Sequence, residues 1–349
     1  MSGGAAGDPG LYDYLPYKGR PKITWPGGAQ IAVWIAPNIE FYEYEPPKNP
    51  VRTPWGRPIP DVLAYSHRDY GNRVGFRRML DAMDEAGFRG SVSLNVAMCD
   101  HHPEIIKLCA DRGWEFFSHG VYNTRYAYGM SEAQEREIIR DSAETIRKWT
   151  GQKLDGWLAP ALSNNTWTMD LLAEEGLLYT CDLFHDDQPT PIKVKSGRFV
   201  SVPYSLEMND TIVYNTNSYD PRHYGTIIKR QFDQLYREGA TSGTVMCIPL
   251  HPYLVGQPHR IEPFAEAIRY IAGHDKVWKA TGREIAQHFL EHSYDAFAAA
   301  ASPPPEGEVS GAQRLTEGDH PGLGDPTPDR AARDSALPSG EGERADRGR

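Results

Sequence analysis

Three short strings carry side chains able to move protons. Pro37-Asn38-Ile39-Glu40-Phe41 offers an amide and a carboxylate, Ser118-His119-Gly120 an imidazole, and Leu250-His251-Pro252 a second imidazole. A fourth string, Tyr179-Thr180-Cys181-Asp182, runs on to Asp186-Asp187. Each closes a segment that reads as a β-strand. A carboxylate and two imidazoles are the parts of general acid–base chemistry, because histidine titrates near neutrality and burial can raise a carboxyl toward it. One such residue at a strand end is ordinary. Two histidines and a glutamate converging from separate strands form a candidate site.

For these residues to meet, their strands must run parallel and end on one side. Ile31 to Pro37 is a continuous apolar run of the buried-strand type, and Ser91 to Ala97, Trp114 to Ser118, Leu178 to Asp182, Thr244 to Leu250 and Val277 to Ala280 follow it. Helical segments lie between many of them. Arg73 to Glu85 carries Val74, Met79, Leu80 and Met83 on one stripe and stops at Gly87. Ser131 with Gln134 forms a capping box; Ile138, Ile139, Ser142, Ile146 and Trp149 continue the inner stripe, and Gly151 ends it. Thr166 to Glu175, followed by Gly176, makes another helix. Alternating apolar strands and helices imply a parallel sheet covered on its outside, here an α/β barrel with its chemistry at the C-terminal ends of the strands.

Composition removes several classes of function. The 349 residues carry a net charge of −10, which argues against a nucleic-acid partner. Cys99, Cys109, Cys181 and Cys247 are scattered with no Cys-x-x-Cys pairing, and read as buried thiols in a reducing compartment. Met1 to Leu11 lacks the basic and apolar regions of a signal peptide, and no apolar run approaches the roughly 18 residues of a membrane span. A cytoplasmic protein without a membrane partner is the expectation. Ala301 to Arg349 has no aromatic residue and is dense in Pro, Gly and charge, so it is expected to be a disordered tail. The expected organisation is a flexible N-terminus over 1–12, a barrel over 13–300 and the tail over 301–349.

Ser118-His119-Gly120, the acidic end of the first strand and Leu250-His251 together resemble the polysaccharide deacetylase (NodB-homology) superfamily, whose fold is an irregular (β/α) barrel. A longer set of strings resembles its allantoinase-type members. They include Trp25-Pro-Gly-Gly-Ala-Gln-Ile-Ala-Val33, Tyr70-Gly-Asn-Arg73-Val-Gly75, and Gly156-Trp157 ahead of Ser163-Asn-Asn-Thr166. Further on come Leu178-Tyr179-x-x-Asp182, Val202-Pro203-Tyr204 leading to Asn209-Asp210, and Leu250-His251-x-x-Leu-Val-Gly256-x-Pro258-x-Arg260. The resemblance spans about Tyr14 to His292. It implies a hydrolase that opens a cyclic amide or imide such as allantoin or a hydantoin, commonly as a homo-oligomer.

The departures bear on the chemistry. The superfamily's usual metal site is one Asp and two His on a His-x-x-x-His loop, but here His119 is followed four residues later by Asn123. The adjacent Asp pair of the first strand becomes Asn38-x-Glu40, and the Arg-x-x-Pro motif becomes Trp157-Leu158-Ala159-Pro160. A catalytic zinc normally has three protein ligands. His119 and Glu40 are two, so the favoured expectation needs no metal cofactor, with a divalent ion such as zinc as the alternative. Amide hydrolysis then needs a base, an oxyanion donor and an acid. Glu40 is the expected base, its pKa raised by the apolar neighbours Trp34, Phe41 and Tyr42; His251 is the expected acid; His119 holds the oxyanion or the water. Asn38, Asn123, Arg73, Trp157, Asp187 and Arg260 are the expected substrate contacts, the arginines by their fork geometry. Two rival readings stay open: a metal-dependent deacetylase of an N-acetylated sugar, and a barrel that only binds a ligand.

Overall fold

The structure is a computed structural model that describes residues 10–47 and 59–301. The expected flexible N-terminus and C-terminal tail fall almost wholly outside these residues. Nine strands form one curled sheet: β1 (Ile31–Ile39), β2 (Ser91–Leu94), β3 (Glu115–Ser118), β4 (Gly156–Trp157), β5 (Tyr179–Thr180), β6 (Thr190–Ile192), β7 (Phe199–Ser201), β8 (Thr244–Leu250) and β9 (Val277–Lys279). Their order is β6-β7-β5-β4-β3-β2-β1-β8, with β9 beside the start of β1. Every pair is parallel except β6 with β7. Val245 N–H donates to the Asp187 carbonyl at 2.8 Å, which draws β8 toward the β6 side and curls the sheet into an irregular barrel. Helices cover its outside. The expected irregular (β/α) barrel is therefore present, with the short strands β4, β6 and β7 added and most of the expected strands shorter than the sequence suggested. No helix among the described residues is long and apolar enough to cross a membrane.

β1 shows why its sequence is apolar throughout. Side chains alternate faces along a strand. Ile31, Val33, Ile35 and Ile39 pack with the outer helices, whereas Ala32, Trp34 and Ala36 pack inside the barrel. Both faces are buried, so both phases are hydrophobic. The inward phase continues through Asn38 and Glu40, which puts both at the cavity beyond the apolar part of the strand. Trp34 is fully buried, packs edge-on against Phe117 and Tyr204, and donates from Nε1 to the Pro203 carbonyl at 3.2 Å. It fills part of the barrel interior.

The helices follow their signals with two corrections. The capping box of Ser131 and Gln134 starts the helix Glu132–Thr150, and Gly151 ends it in a left-handed conformation. Ile139, Ser142 and Ile146 are buried, but Trp149 is 38% exposed, because it falls in the last turn beyond the sheet. Val74 is likewise exposed. It belongs to a π-helical turn, Gly71–Gly75, that precedes the helix Phe76–Ala86 and rotates Val74 off the inner stripe.

That turn has a reason in packing. Gly71 and Gly75 lie against the backbone of the short helix Pro252–Val255, which directly follows His251. A Cβ on Gly75 would stand 2.1 Å from the Pro252 carbonyl oxygen. Gly75→Ala should therefore force the two segments apart and lower stability by about 1–3 kcal/mol, the usual range for overpacking. Thermal unfolding would measure this; an unchanged melting temperature would show that the seam yields freely.

Candidate active site

The C-terminal ends of β1, β3 and β8 bring Glu40, His119 and His251 together. All three are buried, at 5%, 6% and 5% exposure. Glu40 Oε1 is 3.3 Å from His251 Nε2 and 3.6 Å from His119 Nε2. They line a cavity of about 400 Å³, together with Asn38, Asn123, Arg68, Tyr42, Tyr204 and Tyr253. The volume lies in the lower part of the range typical of small-molecule pockets.

Each member is held by buried polar contacts. His251 donates from Nδ1 to Asp210 Oδ1 at 2.7 Å and from its backbone N–H to Asp210 Oδ2 at 2.9 Å. Asp210 is fully buried, and both its oxygens accept from His251. His119 Nδ1 is 2.8 Å from the Leu158 carbonyl. A carbonyl can only accept, so Nδ1 carries the hydrogen and a neutral ring turns the lone pair of Nε2 toward Glu40. Asn95, also fully buried, ties the ends of β1 and β3 together: its Oδ1 accepts from Phe41 N–H at 3.1 Å, and its Nδ2 donates to the His119 carbonyl.

Electrostatics assign different states to the two central groups. Burial opposes a proton on His251, but the charges of Glu40 and Asp210 and their hydrogen bonds outweigh it and raise the imidazole to about 9. Burial by itself would raise Glu40; the His251 charge and its hydrogen bond overcome it and hold the carboxyl well below the usual range. The expected elevation of Glu40 is therefore wrong in sign. Its aromatic neighbours do remove water, but an imidazolium 3.3 Å away is the stronger influence. At neutral pH the pair is a carboxylate facing an imidazolium. Glu40 Oε2 is buried without a hydrogen-bond partner among the described residues, an acceptor that a water or a ligand N–H would satisfy.

Five of the nine expected site residues line the cavity: Asn38, Glu40, His119, Asn123 and His251. Two of them do other work than expected. Asn38 Nδ2 lies within reach of Tyr204 Oη at 2.9 Å, the Leu250 carbonyl at 3.2 Å and the Ala36 carbonyl at 3.3 Å. Its donors brace the end of β8 and are not free for a ring carbonyl. Asn123 donates to Tyr42 Oη and leaves Oδ1 buried without a hydrogen-bond partner among the described residues, so it presents an acceptor and not a donor.

The other four do not reach this cavity. Arg73 is exposed and paired with Asp69 at 2.6 Å, because the π-helical turn points it outward. Trp157 is buried in the core between sheet and helices. Asp187 is exposed and lines a neighbouring cavity with Asp186 and Glu207. Arg260 stacks on the Tyr214 ring at 4.1 Å, away from the histidines. Asp182, at the end of the β5 segment, accepts from Ala159 N–H at 2.8 Å, and burial pushes its carboxyl up to about 6. Asp186 pairs with Arg20 at 2.7 Å.

Sequence reasoning missed Arg68. Its guanidinium is sandwiched between the rings of Tyr42 and Tyr253, at 4.0 and 4.5 Å, and lines the cavity. Tyr42 also shares a hydrogen bond with it, and a planar cation held in this way suits a planar oxygen acceptor. Nothing local marks it, because both tyrosines are distant in sequence.

The donors fall short of a catalytic zinc site. Among the described residues no group of three or more His, Cys, Asp or Glu side chains is set to hold a metal ion. Glu40 and His119 offer two donors, one fewer than usual. His251 Nε2 is engaged with Glu40 Oε1 at 3.3 Å. The position of the superfamily's second histidine is taken by Asn123, which is bonded to Tyr42.

Comparison with known proteins agrees with this architecture. Residues 60–180 match the family model described as polysaccharide deacetylase. A putative polysaccharide deacetylase of Schizosaccharomyces pombe is 27% identical over 311 residues, which are 80% of this chain and 97% of that protein. The crystal structure of a Puue allantoinase superposes with a TM-score of 0.71 at 26% identity, covering 79% of this chain and 95% of that one. A probable polysaccharide deacetylase from Pseudomonas aeruginosa PAO1 superposes with a TM-score of 0.69 at 29% identity, covering 78% of this chain and 95% of that one.

The charge state of His251 can be measured directly. Imidazole NMR titration should give an apparent pKa near 9. Asp210→Asn removes one of the two carboxylates that favour the proton and should lower that value by roughly one to three units. A titration unmoved by Asp210→Asn would show that Asp210 orients the ring without charging it.

Proposed function

The chain belongs to the polysaccharide deacetylase superfamily, and within it we propose that it hydrolyses a carbon–nitrogen bond of a small cyclic amide or imide, of the allantoin or hydantoin kind. The observation that carries this reading is the buried Glu40–His251 pair, backed by Asp210, in a cavity of about 400 Å³. Two buried acceptors of the cavity without a hydrogen-bond partner among the described residues, Glu40 Oε2 and Asn123 Oδ1, suit a ligand rich in N–H donors. Arg68 suits a planar carbonyl edge. A cyclic imide or ureide offers both. The allantoinase likeness points the same way.

The pair's charges order the proton transfers. Water bound at Glu40 attacks the amide carbon and passes one proton to the carboxylate. His119, with its Nε2 lone pair turned inward, accepts from and steadies that water. Arg68 offers N–H donors to the oxygen that becomes negative. The C–N bond then breaks as His251 gives its Nε2 proton to the leaving nitrogen. Glu40 is a weak base while His251 is charged. Its proton affinity rises as that charge leaves, so the two transfers favour each other. Afterwards Glu40 and His251, 3.3 Å apart, exchange the proton and restore the starting state. The product acid releases one proton to solvent.

Steady-state kinetics on a panel of hydantoins, allantoin, cyclic imides and N-acetylated sugars would test this reading. Ring opening is expected, without acetate release; acetate from a sugar substrate would instead establish the deacetylase reading that the relatives' names suggest. Glu40→Gln should lower kcat by about a hundredfold or more. Arg68→Met should weaken transition-state binding by about 2–4 kcal/mol, the scale for losing an oxyanion donor. Near-normal turnover in Glu40→Gln would sink the assignment.

Metal content is a separate check. The purified protein should hold well under one zinc per chain and keep most of its activity after chelation. One tight zinc per chain, with activity lost on chelation and restored by zinc, would overturn the metal-free scheme.

A further inference from the structure

One wall of the cavity is built on strained backbone. Ala161 (φ 50°, ψ 28°) and Leu162 (φ 55°) are consecutive non-glycine residues in the left-handed region. Two such residues in a row give the geometry of a type I′ turn, a position that Asn-Gly normally fills because a Cβ is disfavoured there. The turn is closed by Ser163, whose N–H donates to the Pro160 carbonyl at 3.1 Å and whose Oγ donates to the same oxygen at 2.7 Å.

The surroundings hold this conformation from every side. Ser163 is fully buried, and its Oγ also accepts from Ala127 N–H at 3.0 Å. Leu162 N–H donates to the Ala159 carbonyl at 2.9 Å, while Ala159 N–H is fixed by Asp182 at 2.8 Å. Pro160 sits against Gly120, where a Cβ would stand 2.7 Å from its ring. Strain that is over-determined in this way marks a functional position.

Gripping His119 does not require the strain. That contact is made by the Leu158 carbonyl, before the turn begins. What the turn does is set Ala161 and Leu162 on the cavity wall. Leu162 remains 38% exposed, so it is not there to fill the core. Leu206, 42% exposed, and Ile212 line the same cavity and extend the apolar rim. A leucine kept in a costly conformation, partly in solvent, on the wall of a site is explained by its action on what enters.

We propose that Leu162 is a size gate: its side chain restricts the cavity to small rings and excludes rings with a bulky substituent. This rests on the reading of the cavity as a cyclic-amide site. Leu162→Ala and Leu162→Gly separate the gate from the strain, because both remove the side chain but only glycine relieves the positive φ.

Binding of hydantoin and of 5-benzylhydantoin to the full chain would be measured by ligand-observed NMR, beside thermal unfolding. Both variants should shift the affinity ratio toward 5-benzylhydantoin by at least about tenfold, the discrimination an apolar contact can supply. Leu162→Gly should melt above the wild type, and Leu162→Ala should not. An unchanged ratio in both variants would overturn the gate, and a glycine variant melting below the alanine one would overturn the strain. Ring opening is scored separately. A wild type that binds the small ring without opening it counts against the proposed reaction and leaves the gate standing.

Discussion

A carboxylate and an imidazolium, both about 95% buried, face each other at 3.3 Å in the mouth of this barrel. Removing two charges from water is costly, and mutual attraction repays that cost only with good geometry and further hydrogen bonds. Much of the neighbouring structure supplies those conditions. Asp210 takes both N–H groups that His251 can aim at it. Asn38 braces the Leu250 carbonyl, one residue before His251. The glycine seam of Gly71 and Gly75 lets the backbone after His251 settle against the π-helical turn. Breaking any of these supports leaves one charge buried with worse compensation, which costs more than the lost contact.

The barrel makes the convergence possible at small expense. Parallel strands end on one face, so residues far apart in the chain arrive together without special loops. The inward phase of β1 runs Ala32, Trp34, Ala36, Asn38, Glu40, and changes from apolar to polar as the strand leaves the core. Trp34 fills the interior with the inner apolar cluster. Burial strengthens the interactions at the strand end, including the coupling that keeps Glu40 charged and His251 protonated.

The loss of the superfamily's second metal-ligand histidine has a structural counterpart. Asn123 occupies that place and is engaged with Tyr42, which also covers one face of Arg68. The site has a guanidinium as well as an imidazolium to meet developing negative charge, which is work a metal ion would otherwise do. In the proposed reaction, the electrophilic role is spread over side chains that the protein itself orients.

The sequence by itself determined the elements and the residues at their ends. Period-2 phasing put Asn38 and Glu40 on one face, the capping box and Gly151 set the ends of the longest helix before β4, and apolar strands alternating with helices implied the parallel barrel. These are local properties, decided within a few residues by side-chain direction and backbone preference. Tertiary structure alone decided the sign of the Glu40 shift, the partner of His251 and the presence of Arg68 in the cavity. Asp210 reaches His251 across 41 residues, and Asn38 reaches Tyr204 across 166. Arg73 and Arg260 have the right chemistry in the sequence, but one is turned outward by the π-helical turn and the other is held on Tyr214. Electrostatic effects depend on distance and burial, and neither is encoded by spacing along the chain.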